Sequence, residues 1–195
     1  MATTSTKSRK RTTPTRNAPQ RTPRDAIALL RADHAKVAEL FEQFEKAREN
    51  ARKLKLAQTI CSELKVHTTI EEEIFYPAAR AAIQEDDLLD EAEVEHASAK
   101  ELIAQIESGS PEDEKWEAKV TVLGEYIRHH VKEEQNEMFP KVRKTDLDLK
   151  ELGDELAARK AELRSNRQGV LAAPLREIRR LAKRVIPGIE ERRGR

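Results

Sequence analysis

The segment HTTIEEEIFYP, residues 67–77, has a counterpart in HVKEEQNEMFP, residues 130–140. Both begin with His, place Glu four residues on, and close with an aromatic–Pro pair, Tyr76–Pro77 and Phe139–Pro140. Spacing of four puts His and Glu one turn apart on one helix face. The apolar residues around them step by three and four, as Leu56, Ile60, Leu64, His67, Glu71, Ile74 and as Trp116, Val120, Leu123, Ile127, His130, Glu134. Two further seams carry a single His each: Ile27, Leu30, His34, Val37, Phe41, Phe44 and Leu89, Ala92, His96, Ala99, Ile103, Ile106. Each is the pattern of a helix that turns one face to a core.

The order His, His-x-x-x-Glu, His, His-x-x-x-Glu is a duplicated helical hairpin. His34 and His67 are 33 residues apart, His96 and His130 are 34. Four helices with short links predict an all-α, up-down-up-down four-helix bundle. Breaks are expected near residue 50, at Asp86–Asp87 and at 108–114, where Ser110 is suited to cap a helix and Pro111 to open it.

A lone His on an apolar face is ordinarily a satisfied core residue. A His–Glu pair at i, i+4 is ordinarily a surface pair worth roughly 0.2–0.5 kcal/mol. Here four of the five His fall on the seams in a repeating register, and only His129 is left over. Burying four imidazoles and two carboxylates without partners would cost several kcal/mol for each charge, and cations between them reverse that cost. The pattern therefore predicts a metal site. Four nitrogens and two carboxylates are too many ligands for one tetrahedral zinc, and two His–Glu pairs from opposite helices can bridge two ions. Spacing alone leaves iron, manganese and zinc open.

Composition bounds the rest. The chain has 195 residues, 37% charged and 4% aromatic, with six Gly and eight Pro, a mix that favours helix. One cysteine, Cys61, excludes an intramolecular disulfide and a Cys-based zinc site, and reads as a small buried apolar residue. No apolar run approaches the roughly 18 residues of a membrane span, and no signal-peptide core follows the start. A soluble, cytoplasmic protein is expected. The net charge of +1 conceals an asymmetry. Residues 1–24 hold seven basic and no acidic side chains, residues 159–195 twelve and four, and residues 25–158 eighteen and thirty-two. Residues 1–24, rich in Thr, Arg and Pro, cannot bury enough surface to order themselves and read as a disordered basic tail. They are Arg-rich like a transit peptide but lack its apolar face. LDLKELGDELAARKAELRS predicts an additional helix over 146–168 against the bundle. Residues 169–195 carry a basic amphipathic stripe, Leu175, Ile178, Leu181 and Val185, suited to the acidic bundle, an anionic surface or nucleic-acid phosphates. No base-reading motif is present, so any nucleic-acid contact would be independent of sequence.

The bundle, residues 25–145, resembles the hemerythrin-like HHE cation-binding domain family. The resemblance is carried by DHAKVAELF around His34, HTTIEEEIFYP, EHASAKELI around His96, and HHVKEEQNEMFP. It implies two iron ions in an oxo- or hydroxo-bridged non-heme centre, with His34, His67, Glu71, His96, His130 and Glu134 as ligands. His130 is taken over His129 because it stands to Glu134 and Pro140 as His67 stands to Glu71 and Pro77. The oxygen-carrying hemerythrins have a further His one turn after the third-helix ligand, where this chain has Lys100. They also use an Asp five residues after the last His, where it has Gln135. The four-His, two-Glu set is more similar to the branch that includes the repair-of-iron-centres proteins. That implies reaction with oxygen, nitric oxide or peroxide rather than reversible carriage, in sensing, scavenging or iron handling under oxidative or nitrosative stress. The repair proteins carry an additional Cys-bearing domain with no counterpart in residues 1–24, so their activity is not carried over whole. A redox enzyme with catalase-like or iron-centre-repair activity is the alternative, and a structural bundle with nucleic-acid-binding tails is the third reading.

The remaining singled-out residues read as structure. Asp33 and Glu95, each preceding a ligand-type His, point to a different helix face and are expected in solvent. Glu72, Glu73, Glu133 and Glu137 read as surface charge, and Trp116 and Tyr126 as packing.

Overall fold

The computed structural model describes residues 25–172, the last six as backbone only. The expectations for residues 1–24 and for the apolar stripe of 175–185 lie outside the described residues. Helix α1 spans Ala26–Lys46 and is opened by Asp25, whose carboxylate accepts the Ala28 N–H at 2.7 Å. Helix α2 spans Asn50–Ile70 and passes without a break through a π-helical turn, Glu71–Phe75, into α3, Tyr76–Ile83. Gln84, in the left-handed region at φ 54°, closes α3. Helix α4 spans Asp86–Glu107. Helix α5 spans Trp116–Glu133 and passes through a second π-helical turn, Glu134–Met138, into α6, Phe139–Val142. Helix α7 spans Leu149–Ala172.

The four long rods pack in a ring, α1 against α2 and α5, and α4 against the same two. This is the expected up-down-up-down bundle. The seams bury as two apolar clusters separated by a polar layer. One cluster joins Val37, Phe41, Leu64, Ala99, Ile103 and Ile127 with their neighbours. The other joins Ile27, Leu30, Ile70, Phe75, Ala92 and Phe139 with theirs. Each apolar side chain fully buried contributes roughly 1.5–3 kcal/mol. On every rod a His lies between the two clusters, because the period that alternates the seam around the helix also passes through the middle.

Two close approaches set the spacing of the elements. A Cβ at Gly124 would stand 3.1 Å from the Phe41 ring, so α5 lies near α1. A Cβ at Gly153 would stand 2.7 Å from the backbone nitrogen of Ala26, so α7 crosses the start of α1 with no room for a side chain. Leu152 and Leu156 of α7 are buried in the second apolar cluster.

Three local expectations are corrected. Helix α5 starts at Trp116, not at Ser110–Pro111: the Asp113 carboxylate accepts the Ser110 N–H at 2.8 Å and folds 110–113 into a turn. Trp116 does pack, with its indole N–H on the Ile106 carbonyl at 3.0 Å, but Tyr126 is 45% exposed because it lies off the seam. The additional helix runs past residue 168 to Ala172.

Candidate metal centre

His34, His67, Glu71, His96, His130 and Glu134 converge in the polar layer, and all six are buried. His129 does not join them. Nε2 of His34 lies 3.0 Å from Nε2 of His67, and Nε2 of His96 lies 3.1 Å from Nε2 of His130. The two carboxylates span the two pairs. Glu71 points Oε1 at His67 Nε2, 3.2 Å away, and Oε2 at His96 Nε2, 3.5 Å away. Glu134 Oε2 lies 3.1 Å from His34 Nε2 and 3.6 Å from His130 Nε2.

The outward ring nitrogens face acceptors, and these follow the same duplication. Nδ1 of His96 lies 3.0 Å from Glu72 and Nδ1 of His130 lies 2.8 Å from Glu95. Nδ1 of His67 lies 3.6 Å from Asp33, an ion-pair distance. Nδ1 of His34 lies 3.1 Å from the Gln135 amide, whose carbonyl would accept the same proton with the amide turned over. An acid preceding a lone His thus serves the paired His of the next helix, and the residue after each buried Glu serves the lone His of another. With each Nδ1 turned outward, the four Nε2 atoms point into the layer.

The expectation that Asp33 and Glu95 are solvated is overturned. Adjacent residues do leave a helix on different faces, but here that face meets a neighbouring rod. Glu72 likewise is not free surface charge: it also takes the Lys100 ammonium, at 2.5 Å. Glu73 is bound by Arg159 of α7 at 2.7 Å. The signal in the sequence was the duplication itself, since Asp33 and Glu95 occupy equivalent places.

Tyr76 is the residue whose role the periodicity hid. Its hydroxyl donates to Glu134 Oε1 at 3.0 Å and lies 3.2 Å from His96 Nε2 and 3.4 Å from His130 Nε2. An α-helix would not return residue 76 to the face of Glu71. The π-helical turn does, because the Tyr76 N–H bonds the Glu71 carbonyl five residues back. The Phe139 N–H bonds the Glu134 carbonyl in the same way. Each wide turn also relieves the clash that the ring of Pro77 or Pro140 would make with the carbonyl four residues earlier.

The electrostatics of the layer call for a cation. Burial, then the charge of Glu134, pushes the Glu71 carboxyl well up. Burial also pushes Glu134 up, but His130, His34 and His67 more than offset it and hold that carboxyl below the usual range. Burial and the neighbouring His130 push His96 down to about 2. Burial lowers His67 against the opposing pull of Asp33. Both Glu71 oxygens and Glu134 Oε2 are buried with no hydrogen-bond partner. Unpaired buried carboxylates facing imidazole lone pairs are what a positive ion satisfies. An ion about 2.1 Å from each ligand holds neighbouring ligands roughly 3.0–3.4 Å apart, close to the 3.0–3.6 Å between these atoms. The donor set fits a metal.

On the side facing Val37, Leu64, Ile127 and Val131, the four histidines border a small apolar cavity with room for about one water-sized guest. Among the described residues, no helix is long and apolar enough to cross a membrane.

Comparison with known proteins agrees with this geometry. The chain is similar to a hemerythrin HHE cation-binding domain-containing protein from Mycobacterium kansasii, a crystal structure that superposes with a TM-score of 0.63 at 25% identity over 73% of this chain and 88% of that one. A DNA nickase from Nostoc sp. is 29% identical over 115 residues, 59% of this chain. The chain spans about a third of that relative's length, 32%. The model of the hemerythrin HHE cation-binding domain matches residues 25–142, the bundle that carries all six buried His and Glu, and the chain belongs to that family.

Proposed function

We propose that His34, His67, Glu71, His96, His130 and Glu134 hold two iron ions, and that the protein binds or reacts with a small molecule of the class of oxygen, nitric oxide or peroxide. The observation that carries this reading is the pair of buried carboxylates, each with oxygens turned toward both histidine pairs. A carboxylate so placed bridges two cations better than it serves one. Iron supplies the capacity to exchange electrons with such a ligand. The residues of the chain do the rest. Four imidazoles with outward protons act as neutral donors. The Tyr76 hydroxyl stands at the His96–His130 pair and, with its proton given to Glu134, holds that carboxylate in place. The apolar cavity over the histidines favours an uncharged diatomic molecule over a solvated ion.

Lys100 is turned outward to Glu72 and adds no donor to the layer. This favours irreversible reaction over carriage. Anaerobic reconstitution should reach about two iron ions per chain. Mixing with oxygen and then removing it should not restore the starting spectrum. A saturated content near one ion, or an oxygenated spectrum that reverses under argon, would overturn the reading. Sustained turnover of peroxide or nitric oxide would place the protein among redox enzymes, and a single stoichiometric reaction among sensors or scavengers.

The charge distribution supports a second reading for the ends of the chain. With twelve basic residues against four acidic ones, 159–195 would meet nucleic-acid phosphates without regard to sequence. Affinity for duplex DNA that falls steeply with salt would support it, and none at low salt would remove it.

A further inference from the structure

One group of ligand-type atoms converges outside the buried layer. His129, the histidine off the seams, stands on α5 with its side chain 60% exposed. Its Nε2 lies 3.2 Å from Oε1 of Glu133, one turn on, and 3.5 Å from Oε1 of Glu95 on α4. Both distances exceed the ~2.8 Å of a charge-assisted hydrogen bond. They also match the edge of a coordination tetrahedron, in which bonds of about 2.0–2.1 Å set neighbouring ligand atoms roughly 3.3 Å apart. All three ligand atoms lie within 4.8 Å of one another. An ordinary surface pair would account for His129 and Glu133 alone. The second carboxylate, Glu95, comes to the same nitrogen from another helix.

Glu95 gives the trio a direction. Its other oxygen, Oε2, accepts from Nδ1 of buried His130 at 2.8 Å. A single carboxylate, 15% exposed, therefore touches the outer trio with one oxygen and the buried layer's own histidine with the other. The equivalent acid of the other half, Asp33, is closed off by the ammonium of Lys160.

We propose that His129, Glu95 and Glu133 form an outer site for a divalent cation of the borderline class, such as ferrous iron, cobalt or zinc, and that metal enters the buried layer through it. One imidazole and two carboxylates suit that class, and the open positions left to water make the ion exchangeable. The outer site stands on its own geometry, while its role in loading rests on the buried layer being the iron centre.

The experiment reads the two separately. Full-length protein, already iron-loaded, is titrated anaerobically with cobalt and followed by visible absorption. About one further cobalt per chain is expected, lost in His129→Ala and bound about tenfold more weakly in Glu133→Gln. Metal-free protein is then mixed with ferrous iron. His129→Ala should fill about tenfold more slowly and reach the same final content as the native chain. No cobalt beyond the iron, or equal cobalt binding in His129→Ala, overturns the outer site. Equal filling rates overturn the loading role. Low final iron in the native chain would overturn the iron centre instead, and the outer site would then be decided by whether His129→Ala binds about one cobalt fewer per chain than the native protein.

Discussion

The His34–His67 half of the layer and the His96–His130 half come from the same duplicated hairpin, yet they differ around the ligand-type residues. Over the first, the Phe139 ring stacks on His34 with centroids 5.8 Å apart. Over the second, the Tyr76 ring stacks on His96 at 5.3 Å. One hydroxyl therefore separates two otherwise equivalent aromatic positions, and it points into the second half only. The outer acids differ as well. Asp33, behind His67, is held by Lys160 of α7, while Glu95, behind His130, opens onto exposed His129. Duplication copies the inward-facing donors faithfully. It does not copy what lies behind them, because, among the described residues, α7 packs on α1 and α2 rather than on α4 and α5.

The largest effect should come from a change that strikes both halves. Glu71→Ala removes oxygens facing His67 and His96 together, so bound metal should fall from about two ions to one or fewer. Chelation of the native protein tests the same point by calorimetry. Loss of tightly bound metal is worth on the order of 4 kcal/mol, or about 10 °C in melting temperature for a chain of this size. Equal melting of the metal-free and loaded protein would mean that the layer is satisfied without a cation.

Gly153→Ala should come next and should separate the halves. Its methyl would meet the Ala26 nitrogen at 2.7 Å, so α7 must shift or detach at a cost of about 1–3 kcal/mol. Chemical denaturation gives that cost. Hydrogen exchange should then rise along α1 and α7 and stay unchanged along α4. Lys160→Met makes the same cut with less disruption. It leaves the buried Asp33 carboxylate without its ammonium, and should cost ~2–3 kcal/mol and loosen the ion held by His34 and His67 about tenfold.

The effect of pH on the metal-free protein should be smaller, and it carries a definite sign. A carboxyl raised above its unfolded value stabilises fully below that value and loses the contribution as pH rises through the folded one. The unfolded value for Glu71 is 4.5 and burial raises it in the fold. Metal-free Glu71→Gln should therefore melt higher than the metal-free native chain near neutral pH, with the gap closing as pH falls toward the unfolded value. Tyr76→Phe should have the least effect on stability, since one buried hydrogen bond is worth about 1 kcal/mol. It would remove the difference between the two aromatic positions. Two resolved steps in a metal titration should merge toward one, and any preference of a guest for the second half should be lost.

By itself, the sequence determined the four rods, their order and the six inward donors. Those properties follow from periodicities of three and four along one strand of text, and a His recurring on an apolar seam has no other face to occupy. Even the aromatic–Pro endings were visible, although not their purpose. The tertiary structure alone decided the rest. Tyr76 reaches the layer through a π-helical turn, a one-residue change of register that no 3.6-residue period can show. Asp33 and Glu95 leave their helices on the expected side, and only the placement of the next rod turns that side from solvent into a histidine's partner. Lys160 stands 127 residues from Asp33, and their meeting depends on a glycine crossing at Gly153. Spacing along a helix is local physics and survives in the sequence. Contacts between helices depend on which faces meet, and that is settled only when the whole bundle packs.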